Sequence, residues 1–173
     1  MAVQQESTVT ASRRADAGMV RTGDRDIAGL LLCGEQYGAP YDLLAAALDV
    51  QPARLRGIVA RWRQAGYAAT GRLGPGPSWC WLTPRGMERV GLPYPAAPPR
   101  LARLAHIRAV LAVRLWLAGA EAYQGSGAWW ESERRLRAAL ARVPAPHVAD
   151  AEIHWPSVEG GPYAGQVWAV GWN

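Results

Sequence analysis

Residues 51 to 66 constrain the fold more than any other segment, because they combine an apolar stripe with a run of arginines. Leu55, Val59 and Trp62 follow one another at spacings of four and then three residues, which is the spacing of one face of an α-helix. Gly66 is typical of the residue that ends a helix. We therefore predict an amphipathic helix whose apolar face is buried and whose arginines point to water.

The segments on either side of this helix predict two further helices, a hairpin and a last short helix. Asp24 is a favourable N-cap residue, and Gly74-Pro75-Gly76-Pro77 has the composition of a turn. In chain order, the predicted elements are a helix from Asp24 that Gly34 and Gly38 end, a helix from Pro40 to Leu48, the helix that begins near Gln51, a strand from Tyr67 to Leu73, a strand from Ser78 to Leu82 and a helix from Pro84 to Val90.

The positive charge of the chain is concentrated in this same region. No acidic residue occurs between Asp49 and Glu88. Six arginines lie in that interval: Arg54, Arg56, Arg61, Arg63, Arg72 and Arg85. The rest of the chain holds the other 13 of the 19 basic residues against 14 acidic ones. A basic block of this kind is either a solvated face or a surface that binds a polyanion.

The predicted helix order favours a polyanion, and specifically double-stranded DNA. An α-helix fits the major groove, where arginine pairs with guanine and glutamine with adenine. We expect base contacts from three residues near the start of the helix: Gln51, Arg54 and Arg56. We expect phosphate contacts from four others: Arg61, Arg63, Arg72 and Arg85, the last with help from backbone amides at a helix start.

Three short stretches of this region resemble the winged helix-turn-helix regulators. They are Leu48-Asp49-Val50-Gln51-Pro52-Ala53-Arg54-Leu55, Arg63-Gln64-Ala65-Gly66-Tyr67 and Trp81-Leu82-Thr83-Pro84-Arg85-Gly86. They look like the start of the recognition helix, the end of that helix and the return of the wing into the last helix. A small residue usually stands in the position of Asp49. The resemblance covers residues 24 to 90 and implies sequence-specific DNA binding by a transcriptional regulator. Some winged helices bind proteins, and that alternative stays open.

The flanking segments differ in composition. Residues 1 to 23 are polar and lack apolar periodicity, which predicts a disordered arm. Residues 91 to 99 contain four prolines and are interpreted as a linker. Residues 100 to 123 predict a long helix that is apolar around most of its circumference. Such a helix is buried either by the rest of the chain or by a second copy, so a homodimer through it is one expectation.

The last part of the chain is expected to be a small α/β segment. Residues 128 to 136 fit a strand, a helix or both, and residues 148 to 155 and 166 to 172 fit strands. Because the sequence ends directly after an apolar strand, we expect an incomplete domain. The predicted fold class is α+β, with an N-terminal winged helix, a connecting long helix and this C-terminal part.

The second half resembles the replication-relaxation proteins of bacterial mobile elements such as plasmids. The resemblance is carried by His106, Trp129-Trp130-Glu131-Ser132-Glu133-Arg134, Asp150-Ala151-Glu152 and Trp168-Ala169-Val170. It implies a replication or transfer accessory protein with a nuclease-type α/β fold and an acid at Asp150. Further acids and a lysine follow the last strand in that family, whereas this sequence has Gly171, Trp172 and Asn173. The enzymatic alternative that the resemblance implies is a metal-dependent nuclease that uses Asp150.

Few other residues point to chemistry. His147, Asp150, Glu152 and His154 form a metal-like cluster, and the last three would share one face of a strand. We interpret them as the solvent face of an edge strand and predict no metal, cofactor or catalytic residue. His106 is interpreted as a core histidine. The pair Trp129 and Trp130 is expected to pack in the core.

Composition limits the location of the chain. It has no apolar run of the roughly 18 residues that a membrane helix needs, and its first 20 residues have no hydrophobic block. Its two cysteines, Cys33 and Cys80, are expected to be buried thiols and not a disulfide framework. We therefore expect a cytoplasmic protein that does not contact a membrane.

Overall fold

The first half of the chain consists of four helices packed against a three-stranded sheet. The computed structural model describes residues 22–143, 147–157 and 163–171. The elements of this half are α1 (Asp24–Glu35), β1 (Ala39–Pro40), α2 (Tyr41–Ala47), α3 (Pro52–Gln64), β2 (Ala68–Gly71), β3 (Trp79–Leu82) and α4 (Pro84–Arg89). The four helices and the hairpin follow the predicted order, and the predicted disordered arm lies almost entirely outside the described residues.

The sheet contains a short strand that the sequence pattern does not predict. β1 pairs antiparallel with β3, with Ala39 opposite Cys80, and β2 pairs with the other side of β3. The helix predicted from Pro40 begins one residue later, because Pro40 is extended (φ −70°, ψ 147°) and acts as its N-cap. Two residues are too few for an alternating pattern, so β1 becomes visible only through its pairing.

The predicted apolar stripe of α3 is confirmed. Leu55, Val59 and Trp62 are each at most 1% exposed, and they pack with residues of α1, α2 and the sheet in one core. The two cysteines lie in the same core as free thiols, as predicted. A hydrogen bond with Cys80, together with burial, raises the pKa of Cys33, so this thiol stays protonated and unreactive at neutral pH.

The second half begins with a helix that is shorter than predicted. In place of one helix over residues 100 to 123, a 3₁₀ turn (Leu101–Arg103) leads into α5 (Leu104–Ala118), and Gly119 is its C-cap. Turns fill the residues that follow, because Gly119, Gly125 and Gly127 favour leaving the helix. None of the helices in the described ranges is long and apolar enough to cross a membrane.

A second three-stranded sheet completes the chain. It consists of β4 (Trp129–Ser132), β5 (Ala151–His154) and β6 (Val167–Val170), with α6 (Glu133–Ala139) directly after β4. All pairs are antiparallel in the order β4-β5-β6, so β5 is the central strand. The interpretation of β5 as an edge strand is therefore wrong. It failed because the sequence does not show that β4 pairs with β5.

The two sheets are connected through α5, α6 and the proline-rich segment. Residues 91 to 99 form neither helix nor strand, yet Tyr94 and Ala96 pack on the first core. Arg134 of α6 is buried and donates hydrogen bonds to the carbonyl oxygens of Gly34 (2.8 Å) and Pro95 (2.7 Å). The second half thus packs on the α1 and α2 side of the first half.

Candidate nucleic-acid interface

The core contacts of α3 decide which of its faces meets solvent. Trp62 is fully buried, and its indole Nε1 donates a hydrogen bond of 2.7 Å to Oδ1 of Asp26 on α1. Gly29 allows the close approach of α1, because a Cβ at that position would lie 2.6 Å from the Trp62 ring. The helix is therefore fixed in rotation, and its basic face is turned away from the core.

A tight turn sets the start of α3. Asp49 has a φ of +49°, in the left-handed region that a non-glycine residue seldom adopts. Its amide donates to the Ala46 carbonyl (3.1 Å), and the amide of Val50 donates to the Ala45 carbonyl (3.0 Å). Both donors of the turn are thus satisfied. The turn brings Gln51 to the N-cap position of α3, directly after α2.

The three residues expected to read bases are all exposed at the start of α3. Gln51, Arg54 and Arg56 are exposed, whereas Leu55, which stands between the two arginines in the helix, is buried. Within the described part of the chain, neither Arg54 nor Arg56 forms an ion pair with a carboxylate. Two guanidinium groups on one exposed helix end are therefore available to an external acceptor.

The four residues expected to contact phosphate lie in different surroundings. Arg63 lines an open groove between α3 and β2, and Arg72 is exposed just after β2. Arg61 lies 3.7 Å from Asp26 and is half exposed, so this pair is weak. Arg85 packs with its guanidinium 5.7 Å from the centre of the Tyr67 ring. All four are exposed on α3, the hairpin or α4.

Tyr41 shows the electrostatic effect of this basic face. Burial raises the pKa of its hydroxyl, as does the nearby Cys80, while a hydrogen bond with Thr70 and the positive charge of Arg63 lower it. The net direction of this pKa shift is upward, so the Tyr41 hydroxyl stays neutral. Arg63 thus contributes positive potential at Tyr41, and it has no carboxylate partner in the described residues.

The arginines of the second half are used differently. Arg108 forms two hydrogen bonds with Asp42, and Arg114 lies 3.0 Å from Glu35. Arg103 donates to Glu133 (2.8 Å). These side chains hold helices of the same molecule together, which leaves them less available to a partner. The arginines of α3 and the hairpin differ from them in having few partners inside the chain.

Asp150 does not join the cluster predicted for it. It precedes β5, and its Oδ1 lies 3.0 Å from Nε2 of His106. Asp150 and His106 form a group with Glu133, in which one ligand atom from each residue lies within 4.8 Å of the other two. Glu152 and His154 instead group with Glu131, and His147 is exposed. The predicted face of three residues is therefore wrong, because the chain bends at Asp150 before the strand begins.

Sequence reasoning missed two residues and misplaced a third. Glu133 and Arg134 are buried, although charged residues at the start of a predicted helix are usually exposed. Trp129 was expected in the core, but it is 49% exposed and stacks on His154 at 4.8 Å, whereas Trp130 is buried. The alternation of strand side chains would have separated the two tryptophans, had residues 129 to 132 been assigned to a strand.

Comparisons with protein-family models, with curated proteins and with solved structures found no significant match. The class of the molecule therefore follows from its own architecture. It is an α+β chain whose first half packs four helices against a three-stranded sheet and whose second half is a small mixed unit.

Proposed function

We propose that the chain binds double-stranded DNA in a sequence-specific way through α3 and the β2–β3 hairpin. The observation that carries this proposal is the division among the arginines. Arg103, Arg108 and Arg114 of the second half are paired with carboxylates of the same molecule. In contrast, Arg54, Arg56, Arg63 and Arg72 are exposed and lack a carboxylate partner in the described residues. An unneutralised basic surface on a helix that can enter the major groove supports a polyanionic duplex as the ligand.

Each residue has a proposed role within this interface. Near the helix start, Gln51, Arg54 and Arg56 contact base edges. Farther along, Arg61 and Arg63 contact phosphates, as do Arg72 after β2 and Arg85 on α4. The resulting function is that of a transcriptional regulator or a replication or transfer accessory protein of a mobile element. A homodimer through the exposed side of α5 would match a two-fold symmetric site.

The small residues on the exposed face of α3 support close approach to a groove. Ala53, Gly57 and Ala60 lie between the arginines at helical spacing, and all three are exposed. Among the residues that the structure describes, no atom lies within 4 Å of the position that a Cβ on Gly57 would occupy. A helix normally avoids glycine at such a position. The absence of bulk here allows the backbone of α3 to lie near base edges.

The decisive experiment is selection of bound duplexes from a random pool, followed by binding measurements with variants. We expect Arg54→Ala to weaken binding to the selected site by about 1–3 kcal/mol and to relax base preference. Arg63→Ala should weaken binding to all duplexes alike. It should also reduce the slope of the logarithm of the binding constant against the logarithm of the salt concentration by about 1. Arg142→Ala, at an exposed site after α6, is the matched control. Specific binding that survives both Arg54→Ala and Arg56→Ala would overturn the proposal.

One observation favours a second candidate, a metal-dependent nuclease. The fold brings Asp150, His106 and Glu133 together, which sequence alone did not predict. Against this, Glu133 already accepts hydrogen bonds from Arg103 and Arg137, and a metal would have to displace such partners. Nicking of plasmid DNA with Mg²⁺ or Mn²⁺, lost in Asp150→Ala, would support the nuclease.

A third candidate is a protein-binding winged helix. If the folded chain, with its basic surface intact, did not bind DNA, that result would support a protein partner.

A further inference from the structure

The outer face of the second sheet brings together a histidine and two glutamates from two strands. β4 and β5 pair so that Glu131 lies opposite Glu152, and His154 lies two residues farther along β5. Nε2 of His154 is 3.0 Å from Oε2 of Glu131 and 3.2 Å from Oε2 of Glu152. Three groups that can each donate a lone pair therefore converge on one point of a central strand.

We propose that Glu131, Glu152 and His154 bind a divalent transition-metal cation of the zinc class. In a tetrahedral zinc site with bonds of about 2.0 Å, ligand atoms lie about 3.3 Å apart. The two separations in the structure match that spacing. One imidazole with two carboxylates also suits zinc better than magnesium or calcium, which prefer oxygen ligands alone.

The state of His154 is a second observation that points to a cation. Its Nε2 is buried from solvent and, within the described residues, makes no hydrogen bond. Two carboxylate oxygens lie close to it, but neither accepts a well-directed N–H bond. A buried ring nitrogen without such a bond costs free energy, and a metal at the nitrogen lone pair would remove that cost.

Three neighbouring residues surround the ligands: Trp129, Ala169 and Arg135. The Trp129 ring stacks on the His154 ring at 4.8 Å with an interplanar angle of 9°, which limits rotation of the imidazole. On the neighbouring strand, Ala169 of β6 lies opposite Glu152 and supplies no ligand atom, so water would serve as the fourth ligand. Arg135 lies 3.6 Å from Glu131 but is largely exposed, so it can move away when a cation binds.

A cation would also relieve a repulsion built into the sheet. Like charges that lie directly opposite on paired strands are destabilising. Glu131 and Glu152 occupy such positions on β4 and β5. The site is separate from α3 and from the cluster of His106, Glu133 and Asp150. The proposal therefore does not depend on DNA binding or on the nuclease alternative.

Titration of the metal-free full chain with Zn²⁺ by calorimetry tests the proposal. We expect one ion per chain, and an affinity reduced at least about tenfold in Glu152→Gln and in His154→Gln. His147→Gln is the matched control, because it removes an exposed imidazole elsewhere, and it should bind Zn²⁺ as the wild type does. The absence of Zn²⁺ binding by the wild type would overturn the proposal. Full binding by His154→Gln, or a loss in His147→Gln, would overturn it too.

A spectroscopic measurement separates loss of the site from loss of folding. Co²⁺ bound to this ligand set should give visible absorption bands that Zn²⁺ removes and that excess Mg²⁺ does not. Circular dichroism must show that Glu152→Gln and His154→Gln are folded while those bands are absent. Bands that persist in a folded His154→Gln variant would contradict the assignment, as would displacement of Co²⁺ by Mg²⁺.

Discussion

At position 57, helix stability favours alanine, whereas the proposed DNA binding favours glycine. A helix with glycine at an interior position is less stable than the same helix with alanine there, by about 0.5–1 kcal/mol. A Cβ added at Gly57 would meet no atom of the described residues within 4 Å. We expect Gly57→Ala to raise the free energy of unfolding by about that amount. The same methyl group lies on the face proposed to approach DNA, so we expect weaker binding to the selected duplex. Denaturant unfolding and duplex titration measure the two effects.

Gly86 provides the contrasting variant. A Cβ at this position would lie 1.9 Å from the carbonyl oxygen of Tyr67, so backbone must move to make room. We expect Gly86→Ala to lower the free energy of unfolding by about 3 kcal/mol, in the range of severe overpacking. If Gly57→Ala instead left DNA binding unchanged, the backbone of α3 would not approach the duplex closely, and the proposed docking of this helix would need revision.

At the scale of elements, Glu133 joins the segment before α5 to α6. Its side chain is 8% exposed and accepts hydrogen bonds from Arg103 (2.8 Å) and Arg137 (2.8 Å). Burial acts to raise the pKa of this carboxyl, but the two arginines outweigh it and hold the pKa below its usual value. We expect Glu133→Gln to lower the free energy of unfolding by about 2 kcal/mol at neutral pH, because both arginines are partly exposed.

The same pairing fixes the direction of a pH effect. A carboxyl with a lowered folded-state pKa adds stability above its unfolded value of about 4.3, and that stability is lost as the pH falls through the folded-state pKa. The stability difference between wild type and Glu133→Gln should therefore shrink as the pH is lowered from neutrality. Glu88→Gln, at an exposed position of α4, should differ little from wild type at any pH. A difference that grows on acidification would contradict this account.

Elements with a strong local pattern could be predicted from the sequence. The stripe of α3 and the glycine-proline turn of the hairpin depend on residues close in sequence, and the structure confirms both. β1 could not be predicted, because only its pairing with β3 defines it. The end of α5 was misplaced because the alanines after Gly119 favour a helix, whereas the chain turns there.

The two candidate sites also differ in how far the sequence could predict them. Exposure of Arg54 and Arg56 followed from the stripe beneath them, since both lie on one helix. The grouping of Glu131 with Glu152 and His154 depends on the register between β4 and β5, which are separated by α6. A single sequence shows which residues can bind a ligand, but register and long-range pairing decide which of them meet.

At the scale of the whole molecule, the second half supports the first without covering its basic face. Arg108 ties α5 to α2 through Asp42, and Arg114 ties it to α1 through Glu35. Arg134 lies between the rings of Tyr37 (4.6 Å) and Tyr94 (4.8 Å). These contacts act on the helices behind α3. The second half thus contacts α1 and α2, the helices against which α3 packs.

The proposed homodimer can be tested at the exposed side of α5. Ile107, Val110 and Leu111 face the interior, but Val113 and Trp116 lie one turn apart on the outer side, and Trp116 is 73% exposed. Burying an exposed tryptophan between two copies would supply a strong contact. We expect a dimer in light-scattering measurements, and we expect Trp116→Ser to be monomeric.

The dimer matters for DNA binding because a two-fold symmetric protein engages two half-sites about 34 Å apart. Trp116→Ser should therefore weaken binding to an inverted repeat while leaving binding to a single half-site unchanged. Trp129→Ser removes a second exposed tryptophan, on the outer face of the second sheet, and should remain dimeric. Dissociation by Trp129→Ser and not by Trp116→Ser would place the interface on that sheet. A wild type that stays monomeric on an inverted repeat would exclude symmetric recognition.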